Sequence, residues 1–332
     1  MMILGIESSC DETAAALVEL RGGRFNIVAN TTLSQINIHQ KYGGVVPEIA
    51  ARNHVLNILP ATDQTLSKAK IKPQDIDKIA VTTGPGLITS LIVGIETAKS
   101  LAYAWKKPIS GINHLKAHLY ANWLNNKKIK FPAVALVVSG GHTEIILINN
   151  KTSWKKIGQT IDDAAGEAFD KTAKLLDLPY PGGPQISRLA AEGDAQSFAL
   201  PRPMIDSNDF NFSFSGLKTA VLYTVKKIKT LDEKTKKNLA ASFEQAVVDV
   251  LTAKTVRAAK KHQAKTLMLS GGVAANKKLR LSFQQSTKDL KIDFLMPEVN
   301  LCTDNAAMIA AAGFFEPNLH WSKLKVDPNW EI

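Results

Sequence analysis

"ILGIESSCDETAAALVEL" (Ile3–Leu20) reads as a strand, a short polar turn and a second strand. "ALVVSGGHTEIILINN" (Ala135–Asn150) repeats that construction about 130 residues later. Apolar runs closing on a few small polar residues are the pattern of a buried hairpin. The echo continues further along the chain. "IAVTTGPGLITSLIVGIETAKSLA" (Ile79–Ala102) is strand, glycine-rich turn and helix, and so is "TLMLSGGVAANKKLRLSF" (Thr266–Phe283). Each half thus carries one hairpin and one strand–glycine–helix crossing, which predicts a duplicated α/β fold with two similar lobes.

Working outward, the apolar periods place strands at Ile3–Glu7, Ala15–Glu19, Ile79–Thr83, Val134–Val138, Ile145–Ile148, Thr266–Leu269 and Phe294–Met296. Helices are expected over Glu48–Ser67, Ile88–Ala104, Leu115–Leu124, Glu167–Leu176, Lys218–Lys229, Lys236–His262, Lys277–Gln285 and Ala306–Phe314. Small residues at the strand ends of both halves suggest a cleft between lobes, where backbone N–H groups would meet an anion. The turns concerned are "GPGL" (Gly84–Leu87) and the two "SGG" turns, Ser139–Gly141 and Ser270–Gly272. A nucleotide phosphate is the expected occupant in an open α/β sheet. Neither a Walker A loop nor a dinucleotide-type G-x-G-x-x-G is present, so those two classes are excluded.

Composition narrows the setting. The 332 residues are 45% hydrophobic, enough for two cores of ordinary size, and the net charge is +11. Such an excess suits a polyanion, with nucleic acid first among candidates, although lysines in "TVKKIKTLDEKTKKN" (Thr224–Asn238) also suit a solvated helix face. Only Cys10 and Cys302 are present, so no disulfide framework exists and a cytoplasmic location is expected. The opening "MMILGIESS" has no basic segment ahead of an apolar one, so no secretory signal is expected. The most apolar stretch, Leu87–Trp105, carries Glu96 and Lys99, against a membrane span.

"INHLKAHLY" (Ile112–Tyr120) puts His114 and His118 four residues apart on one helix face, a spacing that suits a metal. A metalloprotease would need a glutamate directly after the first histidine, and Leu115 stands there instead. His39, His54, His142, His262 and His320 are read as structural, with His142 set apart because it follows an "SGG" turn.

Taken in order, "GIESSCDET", "HLKAHLYA", "VVSGGHTEI", "AAGEAFDKTAKLL", "YPGGP", "FSFSGLKTAV", "SGGVAANKKLR" and "CTDNAAMIAAAG" closely resemble the TsaD family, tRNA N6-adenosine threonylcarbamoyltransferases of the bacterial type. The match runs from residue 3 to about residue 313. The resemblance implies an actin/hexokinase/Hsp70-like (ASKHA) fold of two related α/β lobes around a nucleotide cleft. The first lobe is expected over residues 1–111 with 297–332, and the second, with helical insertions, over 112–296. The implied reaction moves a threonylcarbamoyl group from threonylcarbamoyl-AMP to N6 of adenosine 37 in tRNAs reading ANN codons. The implied partners are tRNA through its anticodon stem-loop, a TsaB paralogue, the TsaE ATPase and a TsaC/Sua-type synthase that supplies the donor. No membrane is involved.

Carried over residue by residue, the family's metal ligands fall on His114, His118 and Asp304. Two nitrogens and one carboxylate leave coordination positions open, as catalytic sites do, and suit Fe(II), favoured here, as well as Zn(II). The substrate-binding stretch falls on Val137, Val138, Ser139, Gly140 and Gly141, and the adenosine and ribose contacts on Asp170, Gly183 and Asn276. ATP, ADP or AMP is expected to fit the same cleft. Ser187 departs from the family pattern, where an acidic residue is common. Asp11 and Glu12 of "SSCDET" are assigned supporting roles in catalysis, orienting water, metal or the incoming amine. Cys10 has no base partner in sight and is not read as a nucleophile. The rival reading is an ASKHA-fold small-molecule kinase using ATP, which the loops fit but the metal triad does not. A non-catalytic scaffold of the TsaB kind would be expected to lack these ligands.

Overall fold

A computed structural model describes residues 1–151, 153–228 and 230–332. Thr152 and Lys229, the latter the expected end of a basic helix, lie outside the described residues. The chain forms two compact units, Met1–Lys128 with Pro297–Ile332, and Ile129–Met296.

The first unit contains β1 (Met2–Glu7), β2 (Glu12–Arg21), β3 (Arg24–Ser34), the single turn α1 (Ile36–His39), α2 (Pro47–Ala69), β4 (Lys78–Gly84), α3 (Ile88–Trp105), β5 (Ile109–Asn113) and α4 (His114–Tyr120). The second contains β6 (Ala133–Val138), β7 (Thr143–Ile148), β8 (Trp154–Gln159), α5 (Ala165–Leu175), α6 (Gly182–Ala190), α7 (Ser215–Lys227), α8 (Glu233–Lys261), β9 (Thr266–Ser270), α9 (Lys277–Leu290) and β10 (Asp293–Leu295). The chain then returns to the first unit for α10 (Ala306–Gly313).

The strand order is β3-β2-β1-β4-β5 in one sheet and β10-β9-β6-β7-β8 in the other. In each, three consecutive strands form an antiparallel meander and the first of them pairs in parallel with a later strand, which pairs in parallel with the last. The duplication expected from the sequence is therefore a duplication of topology. β3 and β8 were not anticipated, because each is an edge strand whose side chains are mostly half-exposed or exposed, which blurs the two-residue period. β5 is only five residues of "ISGIN", and α6 opens on Gly-Gly-Pro, residues that usually mark loops. The unit boundary also differs from the expected one. α4 and the 3-10 turn after it (Ala121–Asn125) pack against α10, and the Asn126 side chain bonds both the N–H and the carbonyl of Phe25. Residues 112–128 accordingly fall in the first unit.

β1 is buried on both faces. Leu4 and Ile6 join Ile58 and Ala61 of α2 and Leu91, Ile95 and Ala98 of α3, each large aliphatic contributing about 1.5–3 kcal/mol. Ile3 and Gly5 point the other way, beneath α10. α10 reads "AAMIAAAG" and is wholly buried, so its small side chains let its backbone ride close to the sheet. A methyl group at Gly5 would overlap the carbonyl oxygen of Ala306 and crowd the Ala310 nitrogen. At the other end of the helix, Lys78 Nζ donates to the carbonyls of Gly313 (2.8 Å) and Glu316 (2.7 Å), and burial pushes this amine down to about 8. Among the described residues no helix is long and apolar enough to cross a membrane.

Gly5→Ala is expected to destabilise the fold by about 1–3 kcal/mol, since backbone rather than a flexible side chain must give way. Gly44→Ala, where an added methyl meets nothing within 4 Å, should stay within about 0.5 kcal/mol. Urea unfolding midpoints compare the two; equal midpoints would show that α10 is free to move.

Candidate functional site

The C-terminal ends of β1, β4 and β5 lie together, and the chemistry-bearing side chains of the first unit gather there, where open α/β sheets bind ligands. Asn113, the last residue of β5, caps α4 by accepting from Lys116 N at 3.0 Å. That cap starts the helix at His114 and sets His118 one turn on. Both rings are buried, with centroids 4.7 Å apart at 82°. Asp304 arrives from the far end of the chain, in the turn before α10. Its neighbour Asn305 caps that helix through Met308 N at 3.0 Å. Asp304 Oδ1 stands 3.4 Å from His114 Nε2 and 3.1 Å from His118 Nε2. One ligand atom from each of the three lies within 4.8 Å of the others.

The donor set fits a metal ion on a further count. Both ring nitrogens of His118 are buried and, among the described residues, neither makes a hydrogen bond, although Nε2 lies 3.1 Å from Asp304 Oδ1. A buried polar atom left unpaired costs about 1–3 kcal/mol, a cost that coordination would remove. Burial pushes His118 below the ordinary imidazole range. His114 feels the same burial, but the carboxylates of Asp304 and Glu7 outweigh it and hold the ring charged well above that range. Asp304, although burial opposes its ionisation, is held below the usual carboxylate range by the two histidines. A divalent ion would replace the His114 proton, so binding should release protons.

Sequence reasoning missed Glu7. Its side chain is fully buried, and its carboxylate accepts from Thr82 Oγ1 at 2.7 Å and lies 3.1 Å from His114 Nδ1. The available signal was its phase: Glu7 shares the inward period of Ile3 and Gly5, where an acid without a partner would be costly. Asp11 directly precedes β2 and Glu12 opens it. Ser34 Oγ donates to Glu12 Oε1 at 2.8 Å, while Oε2 is buried without a hydrogen bond. Burial pushes Glu12 up to about 8, and it also raises Asp11 with help from Asp304. Burial likewise raises the Cys10 thiol well above its ordinary value, which suits the reading that Cys10 is no nucleophile. His39 and His54 belong to a buried polar network. His54 sits 2.8 Å from Thr13 Oγ1 and 2.9 Å from the Cys10 carbonyl, tying the first turn to α2.

In the second unit, Val137 and Val138 are buried strand residues that deliver the Ser139–Gly141 turn to the surface. Added methyls at Gly140, Gly141 or Gly183 would meet nothing within 4 Å, so space over these backbones is open. A series of contacts links the elements around this turn. Gly271, at φ 92°, passes against the Val138 carbonyl, and Gly166 N donates to Ser139 O at 3.2 Å. Asp170 Oδ1 accepts from Gly182 N at 2.7 Å. Asn276 caps α9 through Leu279 N and spends its amide on Ser187 Oγ (2.9 Å) and Glu244 Oε1 (2.6 Å). α5 thus starts against Ser139 and carries Asp170, whose carboxylate holds the start of α6, and α6 in turn offers Ser187 to Asn276.

Comparison with known proteins places the chain in a family. The sequence profile of TsaD, tRNA N6-adenosine threonylcarbamoyltransferase, matches residues 26–311. A protein of that name from Thermosipho melanesiensis is 52% identical over 314 residues, covering 95% of this chain and 94% of its own. Among solved structures, the (R)-2-hydroxyglutaryl-CoA dehydratase component A of Acidaminococcus fermentans aligns at TM-score 0.54 and 15% identity, over 94% of this chain and 96% of that one. Full-length HypF aligns at TM-score 0.60 and 13% identity over 94% of this chain and 45% of its own. These structures establish the fold alone, an actin/hexokinase-like α/β duplication. The chain belongs to the TsaD family of tRNA N6-adenosine threonylcarbamoyltransferases, acyltransferases that modify tRNA.

Proposed function

We propose that the chain transfers the threonylcarbamoyl group of threonylcarbamoyl-AMP to N6 of adenosine 37 in tRNAs reading ANN codons. One divalent ion, Fe(II) before Zn(II), would be held by His114, His118 and Asp304. The observation that carries this is the convergence of that triad, with both His118 nitrogens buried and, among the described residues, without a hydrogen bond. In the second unit, the open backbone of Ser139–Gly141 suits the donor's phosphate, Asp170 and Gly183 the ribose, and Asn276 the adenosine side.

The donor is a mixed anhydride, so no enzyme nucleophile is needed. The N6 amine attacks the carbamoyl carbon, the C–O bond to phosphate breaks, AMP leaves with the bonding pair, and one N6 proton must be taken up. Because the amine's lone pair is delocalised into the ring, rate comes from positioning and from stabilising the departing phosphate. When bound, an ion on this donor set supplies Lewis-acid polarisation of an oxygen. Glu12 is the proton acceptor we assign, its Oε2 being buried and without a hydrogen bond. Burial, and to a lesser degree Asp11 beside it, raises the cost of a negative charge there and so keeps Glu12 basic.

For tRNA, α7 presents Lys226 and Lys227 to solvent one turn from Tyr223, itself 59% exposed. Cations beside an exposed ring suit a phosphate backbone with an unstacked base. For the TsaB paralogue, α2 exposes Val55, Leu56 and Leu59, and α3, which packs on it, exposes Ile88 and Ile92. An apolar surface of that kind fits a helical partner. TsaE and a TsaC/Sua-type synthase complete the expected system, and both cysteines being free suits the cytoplasm.

Three measurements check this reading. With TsaB, TsaE, the synthase, threonine, bicarbonate, ATP and unmodified tRNA, the chain should yield the modified nucleoside, and His114→Ala should cut the yield more than about 100-fold, beyond the usual cost of losing a supporting partner. Full activity in that variant, or no product from the intact system, refutes the assignment. Lys226→Ala with Lys227→Ala should weaken tRNA binding and reduce the slope of log K against log salt by about 1–2. An unchanged slope removes α7 from the interface. A proton acceptor must be ionised, so single-turnover rates should climb as pH rises through about 8, and Glu12→Gln should flatten that climb.

A further inference from the structure

Glu7 is a fully buried carboxylate at the end of a strand buried on both sides, and three donors aim at it. Ser9 N donates to Oε1 at 2.5 Å, Thr82 Oγ1 donates to Oε2 at 2.7 Å, and His114 Nδ1 lies 3.1 Å from Oε2. The first two contacts come from the turn after β1 and from the neighbouring strand β4. They fix the carboxylate before the histidine is considered. Because every neighbour is a donor, the side chain is held as an acceptor, and its ionised form is the one the cage fits.

We propose that Glu7 is a positioning residue for the candidate metal centre, accepting from the Nδ1–H of His114 so that Nε2 alone faces Asp304 and the ion; this rests on the metal reading given above. The geometry assigns the two ring nitrogens separate duties. Nδ1 meets Glu7, and Nε2 meets Asp304 Oδ1 at 3.4 Å. A carboxylate on the remote nitrogen fixes the ring's rotation and raises the basicity of the ligating one. It also adds a second negative charge to that of Asp304, matching a divalent ion without a second acidic ligand. Among the described residues His118 has no such support, since its Nδ1 is buried without a hydrogen bond. The two histidines are therefore unequal ligands, and His114 is the anchored one.

Glu7→Gln keeps the size but leaves one amide oxygen for three donors. Its NH2 then faces the histidine, Thr82 or the Ser9 N–H. The test titrates Zn(II) into wild-type and Glu7→Gln protein against a chelator of known affinity, with thermal unfolding of the metal-free forms followed in parallel. Zinc affinity should fall about 10–100-fold. In the wild-type zinc form, 15N-histidine spectra should show a His114 Nδ1–H proton moved downfield and protected from exchange, and the variant should lose that signature. A variant holding zinc within about threefold of wild type overturns the assignment while leaving the metal centre intact. Wild-type protein that binds zinc no better than His118→Ala overturns the metal reading itself, and Glu7's role with it. Should Glu7→Gln fail to fold, the wild-type proton decides: an exchange-labile, unshifted Nδ1–H refutes the hydrogen bond on its own.

Discussion

The first unit depends on how closely α10 lies on β1. Gly5 offers no side chain, and α10 answers with a run of alanines, so helix and sheet backbones approach more tightly than a methyl would permit. That approach positions the turn just before the helix, and Asp304 is in that turn. The same helix packs against α4, which carries both imidazoles. Backbone proximity, set by absent side chains, thus brings three candidate ligands together from positions nearly 200 residues apart in sequence.

Electrostatics then acts on that framework. Two buried histidines stand beside two carboxylates, and each carboxylate keeps its charge because a ring nitrogen faces it. Removing one member would strand another, which is costly wherever water cannot reach. Glu12, a short distance along the chain, shows the opposite outcome. It has one hydroxyl partner and an acidic neighbour, and burial leaves it reluctant to ionise. Two glutamates five residues apart therefore hold their protons very differently, and environment alone makes the distinction.

The second unit uses the same topology for another purpose. Its glycine turn after β6 occupies the place that "SSCDET" occupies after β1, but it presents bare backbone where the first unit presents carboxylates. One copy of the fold thus carries side chains that could hold a metal ion, the other an exposed glycine turn. The inward-facing glutamate at the end of β1 has Val138 as its counterpart at the end of β6, so the duplicated strands diverged at the residue that matters chemically.

The sequence by itself determined the repeated hairpin and crossing, the metal triad as candidates, and the glycine turns, because each is written in local spacing or in short motifs. It did not reveal β3, β5 or β8, whose weak periods mean something only once a neighbouring strand is paired to them. Nor could it place residues 112–128, since their unit is decided by the far-off helix they pack against. Glu7 passed for an ordinary strand residue because its partners, Thr82 and His114, are 75 and 107 positions away. Only tertiary structure decides which donors surround a buried carboxylate. Partners of that kind come from separate strands, and no local pattern in the chain specifies them.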